Sequence, residues 1–586
     1  MDPSQAAPNG RSRAWFRELT RYQWWVLFLA SLGWMFDTMD QQFFNLARGP
    51  AMQELLGYDG RAIGLKALGA DAKTTYTAGD LHALVAAGVL TAEEQARLMS
   101  QPETAARLEA GLARRDFAPV VGRLLLERRH AERGLELLAK QPGDSFDRAG
   151  LDQLIASNAI SRDFAEQALA AHPDGQVPRS FIARALGESE AKVKQGQRGD
   201  HATTIFIIGW AVGGLFFGLV GDRLGRVKTM ALTILIYALF TGLSGLAQTW
   251  WQFAAFRFLT ALGVGGEFAA GAALVAETMS ERVRPLALGT LQALSAVGNI
   301  AAGACSYFIT PAFGWRWLFA VGAVPALLAV VVRLGLREPE KWQAARARAA
   351  QEHARGKAVG SYAALFASPR WRRNAIIGML LGVVGVAGLW GVGFFTPELI
   401  RIAVAGVTAK EREQIVAVTF MLQQLGAFFG ISGYTWLSQR VGRKPAFGFF
   451  FAFAFVVTSY IFLFLDTKTE AFYLLPILGF ATLGPFGGYA IYFPELFPTR
   501  LRATGTGFCY NVGRFLAAFS SSLKGWLSGV FNSGALIPIL PMLNASVGNA
   551  ERATRYASVT MACVYLLGLI ALRFAPETKG QPLPED

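Results

Sequence analysis

Charged residues stand inside long apolar runs of this sequence, and four of them fall in two runs: Asp37 and Asp40 in the first, Arg257 and Glu267 in the fourth. A charge at the centre of a membrane-spanning helix costs at least ~2.5 kcal/mol, so each is a functional candidate by default. Asp37 and Asp40 are three positions apart, hence on one helical face, with Gln41 beside them. At ~1.5 Å per residue, Asp37 lies roughly 22 Å from the inner end of its run and about 10 Å from the outer surface. Arg257, counted from the outer end of its own run, also lies roughly 10 Å in. An acid and a guanidinium at one depth predict a switchable pair, in which protonating the carboxylate releases the arginine and biases one gate over the other. A permanent structural ion pair is the alternative. Glu267 is roughly 15 Å further along the helix than Arg257 and cannot pair with it directly. A hydrogen bond near the inner gate and a part in coupling both remain open for it.

Gln292, Ser295 and Asn299 form a polar stripe at helical spacing in the fifth run. Amides and a hydroxyl offer both donors and acceptors, which suits hydroxyl and carboxylate substrates. Gln423, Gln424, Asn511 and Arg514 are the corresponding candidates in the second half of the chain. A cation at Arg514 fits a carboxylated substrate such as a sugar acid, sialic acid or aromatic acid; a bond to a backbone carbonyl or to the Glu495 region is the other reading.

The elements that must carry these residues are membrane helices. The chain has 586 residues, 53% hydrophobic and 17% charged, with a mean hydropathy of +0.32, more apolar than a soluble domain tolerates. Runs of the length that crosses a ~30 Å hydrocarbon core are expected near 22–46, 203–221, 229–248, 251–276, 285–310, 315–336, 374–397, 414–437, 445–465, 471–493, 505–531 and 555–575. The stretch 533–542 is too short and too Pro-broken to be another. A net charge of +14 raises the question of nucleic acid, but the positive residues collect in alternate loops, as the positive-inside rule requires of a membrane protein. Arg11, Arg13, Arg17 and Arg21, then Arg223, Arg226 and Lys228, then Arg440, Arg443 and Lys444 place both termini in the cytoplasm. Cys305, Cys509 and Cys563 fall inside predicted spans, so no disulfide framework follows. The first span reads as an uncleaved anchor. No spacing supports a catalytic triad, a metal cluster or a phosphate loop. The glycines around Glu267 follow no strand, so they serve helix packing and not a nucleotide. The reading is of a non-enzyme without metal or cofactor.

Two motifs recur, each in the second half of the chain. Gly218-Leu-Val-Gly-Asp222-Arg223-Leu-Gly225-Arg226 has an echo at 435–443, where Arg440, Gly442 and Arg443 match and Thr435 and Gln439 depart. Glu277, Arg282, Arg284 and Gly289 are matched by Glu495, Arg500, Arg502 and Gly507, at an offset that differs from the first by a single position. Two parallel six-helix repeats with a binding site between them at mid-membrane are a known transporter architecture. Asp222, Arg223, Gly225, Arg226, Glu277, Arg282, Arg440, Arg443, Glu495 and Arg500 are then gating residues at the inner helix ends. Outside 53–201 the chain resembles the major facilitator superfamily, whose Gly-x-x-x-Asp-Arg-x-Gly-Arg loop is intact at 218–226. Pro494-Glu495-Leu496-Phe497-Pro498-Thr499-Arg500 and Pro576-Glu577-Thr578-Lys579-Gly580 look like sugar porters; Gly263-Val264-Gly265-Gly266-Glu267-Phe268 looks equally like the metabolite:proton and aromatic acid:proton symporters. The resemblance implies a coupling role for Asp37 and Arg257 and sugar contacts at Gln292 and Asn299. It also points to Trp390, where sugar porters have Asn, and to Tyr489, near their Trp. Val384 and Gly385 replace their paired Gln, which argues against a simple hexose.

The expected fold is therefore an all-α membrane protein of twelve transmembrane helices in two six-helix repeats, with a soluble helical insertion between helices 1 and 2. Its parts are 1–52, the extracytoplasmic insertion 53–201, helices 2–6 over 202–336, a cytoplasmic linker over 337–373 and helices 7–12 with a short tail over 374–586. Within the insertion, Leu81, Leu84, Val85 and Leu98 recur at one common spacing as Leu151, Leu154, Ile155 and Ala168. Three functions are expected in descending order: proton-coupled uptake of a small polar metabolite by alternating access, facilitated diffusion on the same fold, and a transporter-derived receptor that senses a ligand through the insertion. Its partners are a small-molecule substrate, protons and the lipid bilayer of the inner (plasma) membrane; a monomer is expected.

Overall fold

Backbone amides in hydrocarbon must be bonded within the chain, so the apolar runs fold as helices. The computed structural model describes residues 15–56, 138, 145–156, 160, 162–351, 359–391, 396–404, 409–534 and 550–585. Leu81, Leu84, Val85 and Leu98 of the expected internal echo, and most of 533–542, lie outside the described residues. The chain divides into two compact units, Gly49–Asp200 and Met1–Arg48 with His201–Asp586.

In the smaller unit, β1 (Ser145–Phe146) pairs antiparallel with β2 (Val177–Pro178), and α2 (Arg148–Ala156) and α3 (Arg162–Ala171) lie between them in sequence. Leu151, Leu154, Phe164, Ala168, Ile182 and Leu186 are buried. The apolar positions of the sequence echo, Leu151, Leu154 and Ala168, thus form this small core. A strand pair is added to the purely helical expectation.

The larger unit begins with α1 (Arg21–Leu56) and continues through the C-terminal part of α4 (Arg179–Leu224). Then come α5 (Arg226–Ser244), α6 (Trp250–Thr278), α7 (Arg284–Phe313), α8 (Trp315–Val321) and α9 (Ala326–Gly335). The short α10 (Glu340–Gln351) and α11 (Tyr362–Ala367) precede the second half: α12 (Pro369–Gly391), α13 (Thr396–Ala403), α14 (Ala409–Val441), α15 (Arg443–Phe464) and α16 (Lys468–Glu495). The chain ends with α17 (Arg502–Ala517), α18 (Ser520–Ser533), α19 (Ala550–Ala562) and α20 (Val564–Phe574). Among the described residues, ten helical stretches are long and apolar enough to cross a membrane. The expected spans 22–46 and 505–531 are helical, in α1 and α17–α18, but are not among the ten. Asp37 and Asp40 in the first, and Asn511, Arg514 and several Ser and Thr in the second, dilute their apolar character.

The repeat is visible in the helix ends. Thr249 and Gln252 form a capping box at the start of α6, and Thr467 and Glu470 form one at the start of α16, at the same offset that carries Glu277 to Glu495. Gly225 (φ 116°) and Gly442 (φ 102°) turn the chain into α5 and α15 in a region that L side chains avoid. At each turn the amides that open the next helix are capped from afar by one carboxylate. Glu338 accepts from the backbone N–H of Arg226 (2.7 Å), Val227 (3.1 Å) and Lys228 (3.2 Å). Glu577 accepts from Arg443 (2.9 Å) and Lys444 (3.0 Å). A carboxylate at a helix N-terminus satisfies orphan donors and the positive end of the dipole.

Burial pushes the Glu577 carboxyl upward, but backbone N–H donation from Arg443, Lys579, Lys444 and Thr578 outweighs it and holds the group below its ordinary value. A depressed folded-state value means a contribution present above the unfolded value and lost as pH falls through the folded one. Glu577→Gln is therefore expected to lower the thermal midpoint at pH 7. The gap to the unmodified protein should start to narrow near ~4.3, the unfolded Glu value, and close only below it. Scanning fluorimetry across pH 3–7 reads this, and equal midpoints at pH 7 would sink it.

Candidate functional site

Arg257 projects from α6 into the first half of the bundle and is fully buried. Its partner is Asp40: Nη2 donates to Oδ2 at 2.8 Å and Nη1 to Oδ1 at 3.3 Å. The Thr241 hydroxyl adds a bond to the same carboxylate at 2.7 Å. The rings of Phe44, Phe206 and Phe319 surround the guanidinium, with centroids 5.1, 4.8 and 5.3 Å away. This corrects the expected Asp37–Arg257 pair. Depth counted from helix ends does not resolve one turn, ~5.4 Å, and Asp40 is on the next turn of the same face.

Asp37 is fully buried, and neither of its carboxylate oxygens accepts a hydrogen bond. Glu267, also buried, has both oxygens unbonded as well. Its carboxylate packs against Gly33 of α1, where any Cβ would collide with it. Asp37 lies within Coulombic reach of Glu267, Asp40 and, from the other half, Arg514.

Arg514 sits on α17, and its Nη1 donates to the Tyr510 carbonyl (2.6 Å) and to Asn511 Oδ1 (2.9 Å). Its guanidinium is 3.9 Å from the Trp210 ring centroid and 4.4 Å from that of Tyr510. No carboxylate forms an ion pair with it among the described residues, and its Nε has no partner. Tyr510 stacks on Phe268 at 4.2 Å, and Phe268 packs on Trp34 at 4.8 Å. Of the polar stripe, Gln292 is buried with its Oε1 unbonded. The Ser295 hydroxyl turns back to the Gln292 carbonyl, and Asn299 donates across the halves to Gln424 at 2.8 Å. Gln423 is buried on the neighbouring position. Tyr489 spends its hydroxyl on the Leu381 carbonyl (2.7 Å), leaving its ring to the aromatic cluster. The side chain of Trp390 lies outside the described residues.

At the end that carries the loop signature, Asp222 accepts from the backbone N–H of Ala503 (3.1 Å) and Thr504 (2.8 Å) and from the Thr504 hydroxyl (2.6 Å), all at the start of α17. Arg226 pairs with Glu277 at 2.9 Å, and Arg502 reaches the same Glu277 from the other half at 2.7 Å. In the second copy Arg443 pairs with Glu495 at 3.0 Å, and the Thr578 hydroxyl donates to Glu495 at 2.6 Å.

A family model described as Major Facilitator Superfamily matches residues 178–522. The chain belongs to the major facilitator superfamily. A cis,cis-muconate transport protein of Acinetobacter baylyi is 33% identical over 326 residues, 55% of this chain and 76% of its own length. A probable 4-methylmuconolactone transporter of Cupriavidus pinatubonensis is 30% identical over 386 residues, 64% of this chain and 81% of its own. A sialic acid transporter of Escherichia coli is 27% identical over 343 residues, 58% and 80% respectively. A solved proton:xylose symporter bound to 6-bromo-6-deoxy-D-glucose superposes with a TM-score of 0.53 at 18% identity, covering 67% of this chain and 89% of its own; this likeness is one of fold. The protein is thus a multi-pass membrane transporter of the superfamily, akin to carriers of metabolites and organic acids.

The superfamily loop network is built from some of the expected residues and from others that sequence reasoning passed over. Arg282 lies outside it, pairing at the surface with Glu18 at 3.1 Å. Arg440 stacks its guanidinium on Trp436 at 4.0 Å. Arg223 donates to the Gly360 carbonyl, and Gly360 N–H in turn donates to the Arg500 carbonyl, so the linker is tied to both halves. Arg502, Glu338, Glu577 and Thr504 were the missed members. Arg502 stood in the repeat beside Arg500, and the two glutamates each follow the last span of a half, Glu577 within the Pro576–Gly580 segment that resembles sugar porters.

The two halves are latched unequally. Asp222 has Gln439 as its repeat counterpart, and Ala503 and Thr504 have Pro285 and Leu286. The second side therefore lacks the acid, one of the two backbone donors and the hydroxyl donor together, since proline has no N–H. Thr435, where the signature has glycine, fits because it packs against Gly289. Asp222→Ala removes three accepted bonds at a helix N-terminus and is expected to destabilise the protein by ~2 kcal/mol or more. Gln439→Ala should stay within ~0.5 kcal/mol. Equal losses of thermal stability in the two variants would contradict the one-sided latch. For the core pair, Arg257→Leu strands Asp40 and should cost ~3–5 kcal/mol, with much of it recovered in Arg257→Leu/Asp40→Leu. A double variant no more stable than the single one would refute this.

Proposed function

We propose that this transporter takes up a small carboxylated metabolite together with protons, by alternating access of two six-helix halves, and that Asp37 carries the coupling proton. The observation that carries the reading is Asp37 itself. It is a fully buried carboxylate with both oxygens unbonded, at the meeting of the two halves, while the neighbouring Asp40 is locked to Arg257. A buried charge without a partner costs several kcal/mol, so gain and loss of one proton at Asp37 changes the energy of the site substantially. Arg257–Asp40 is then the permanent structural pair, and Glu267 is a second carboxylate whose charge acts on Asp37. Gln292, Asn299, Gln423, Gln424, Asn511, Arg514 and the rings of Tyr510 and Phe268 are the proposed lining of the substrate path.

The reading includes α1 and α17–α18 as the first and eleventh of twelve transmembrane helices. The polar residues that dilute them face the central path rather than lipid. It also places the chain in the inner membrane as a monomer, with both termini cytoplasmic and the insertion 53–201 extracytoplasmic. Asp222, Arg226, Glu277, Arg502, Arg443 and Glu495 close the cytoplasmic end and part when the halves rock. Carboxylates are favoured over hexoses because Arg514 has no ion-pair partner among the described residues, and because muconate and sialic acid, named for the relatives above, are acids.

Uptake into proteoliposomes tests it with cis,cis-muconate, nicotinate, sialic acid and xylose. At one proton per substrate, a gradient of about one pH unit supports about tenfold accumulation, equivalent to ~1.4 kcal/mol. Asp37→Asn should abolish accumulation while leaving counterflow exchange. Accumulation that survives in Asp37→Asn would overturn the coupling role, and equilibration without accumulation in the unmodified protein would mark a facilitative carrier.

A further inference from the structure

Resting on the reading that Asp37 carries the proton, we infer that Arg514 binds the substrate's carboxylate, and that this carboxylate replaces the charge of Asp37 opposite Arg514. One proton and one monocarboxylate then enter together, and the site has the same net charge empty and loaded.

Three features of the site lead there. First, Arg514 is a buried guanidinium whose charge no ion pair matches among the described residues. Its Nη1 is held by neutral oxygens of Tyr510 and Asn511, and its Nε is unbonded. Second, Trp210 and Tyr510 lie 3.9 and 4.4 Å from it at ring centroid. Rings that close pack against the guanidinium and leave its Nε a donor without a partner, and a guanidinium with a donor to spare can engage a carboxylate in fork fashion. Third, the acid within Coulombic reach of Arg514 is Asp37, which belongs to the opposite half and makes no hydrogen bond of its own.

The surrounding groups limit the alternatives. Asp37 faces Gln41 and Asp40 on its own helix, Glu267 on α6, Tyr237 on α5, and Arg514 and Tyr510 on α17. Asp40 is engaged by Arg257 and Thr241. Among the described residues Arg514 is therefore the cation within Coulombic reach of Asp37, and Asp37 is the acid within Coulombic reach of Arg514. A net charge stranded at this depth is unfavourable. A substrate anion reaching Arg514 is tolerated once Asp37 is neutral, and Asp37 loses its proton once the anion has left. No covalent step is involved. An uncharged amide of the same shape offers Arg514 no charge to replace, which makes the acid/amide contrast the signature of the site.

Calorimetry on the full-length protein in detergent, without any gradient, tests this with nicotinate and nicotinamide, benzoate and benzamide. The acids should bind at least tenfold more tightly than their amides. Titration in two buffers of different ionisation enthalpy should show uptake of about one proton per acid bound. Arg514→Gln should lose at least tenfold in acid affinity and less than threefold in amide affinity; Arg514→Lys, which keeps the charge but not the fork, should fall between. Asp37→Asn should still bind the acids, with proton uptake reduced to zero. Amides that bind as tightly as acids, acid affinity unchanged in Arg514→Gln, no acid binding at all, or proton uptake that persists in Asp37→Asn would each overturn the inference. Arg514-dependent acid binding in a protein that never accumulates substrate would instead remove the coupling reading and leave the carboxylate site in place.

Discussion

A charge in a low-dielectric interior must be matched by an opposite one close by, and the arrangement of this bundle follows from how each buried charge is matched. Asp40 and Arg257 satisfy each other, with a hydroxyl and three aromatic rings closing the remaining sides. Arg226 and Arg502 with Glu277 and Asp222 do the same at the loop end, and Arg443 with Glu495 repeats half of that scheme. Among the described residues Asp37, Glu267 and Arg514 form no ion pair, nor does Arg284, whose Nε donates to the Ala276 carbonyl. Asp37 and Arg514 come within Coulombic reach of each other from opposite halves.

The repeat and its failures have one physical basis. Helix entry is the same on both sides: a left-handed glycine at 225 and 442, a distant carboxylate at 338 and 577 on the freed amides, and a capping box at 249 and 467. These features belong to one half alone, and duplication preserved them. The contacts that join one half to the other are unequal. Asp222 grips the start of α17, whereas Gln439 faces a helix whose corresponding residues are Pro285 and Leu286. An interface held mainly on one side can open with fewer bonds broken than a symmetric one.

The aromatic cluster links helices that carry the buried charges. Trp34, Phe268 and Tyr510 form a continuous stack from α1 through α6 to α17, and Tyr510 also flanks Arg514. Rings at these positions give flat, rigid walls at low entropic cost. They connect the helix of Asp37 to the helix of Arg514 through packed rings.

Hydropathy, helical period and repeat offset are local or one-dimensional properties, and they were enough to reveal the membrane class, the two halves and the acids at 37, 40, 267, 277 and 495. They also placed Arg257 and Arg514 within spans. Which acid meets which cation is a matter of packing in three dimensions. Helix tilt and side-chain reach shift a depth count by a turn, so Asp40 and not Asp37 holds Arg257. Likewise Arg282, in the turn that precedes α7, pairs at the surface, while Arg502, at the first position of α17, reaches Glu277, although both stood in the same repeated motif. Glu338 and Glu577 lie far along the chain from the helices they cap, and no pattern in the linear sequence encodes such a reach.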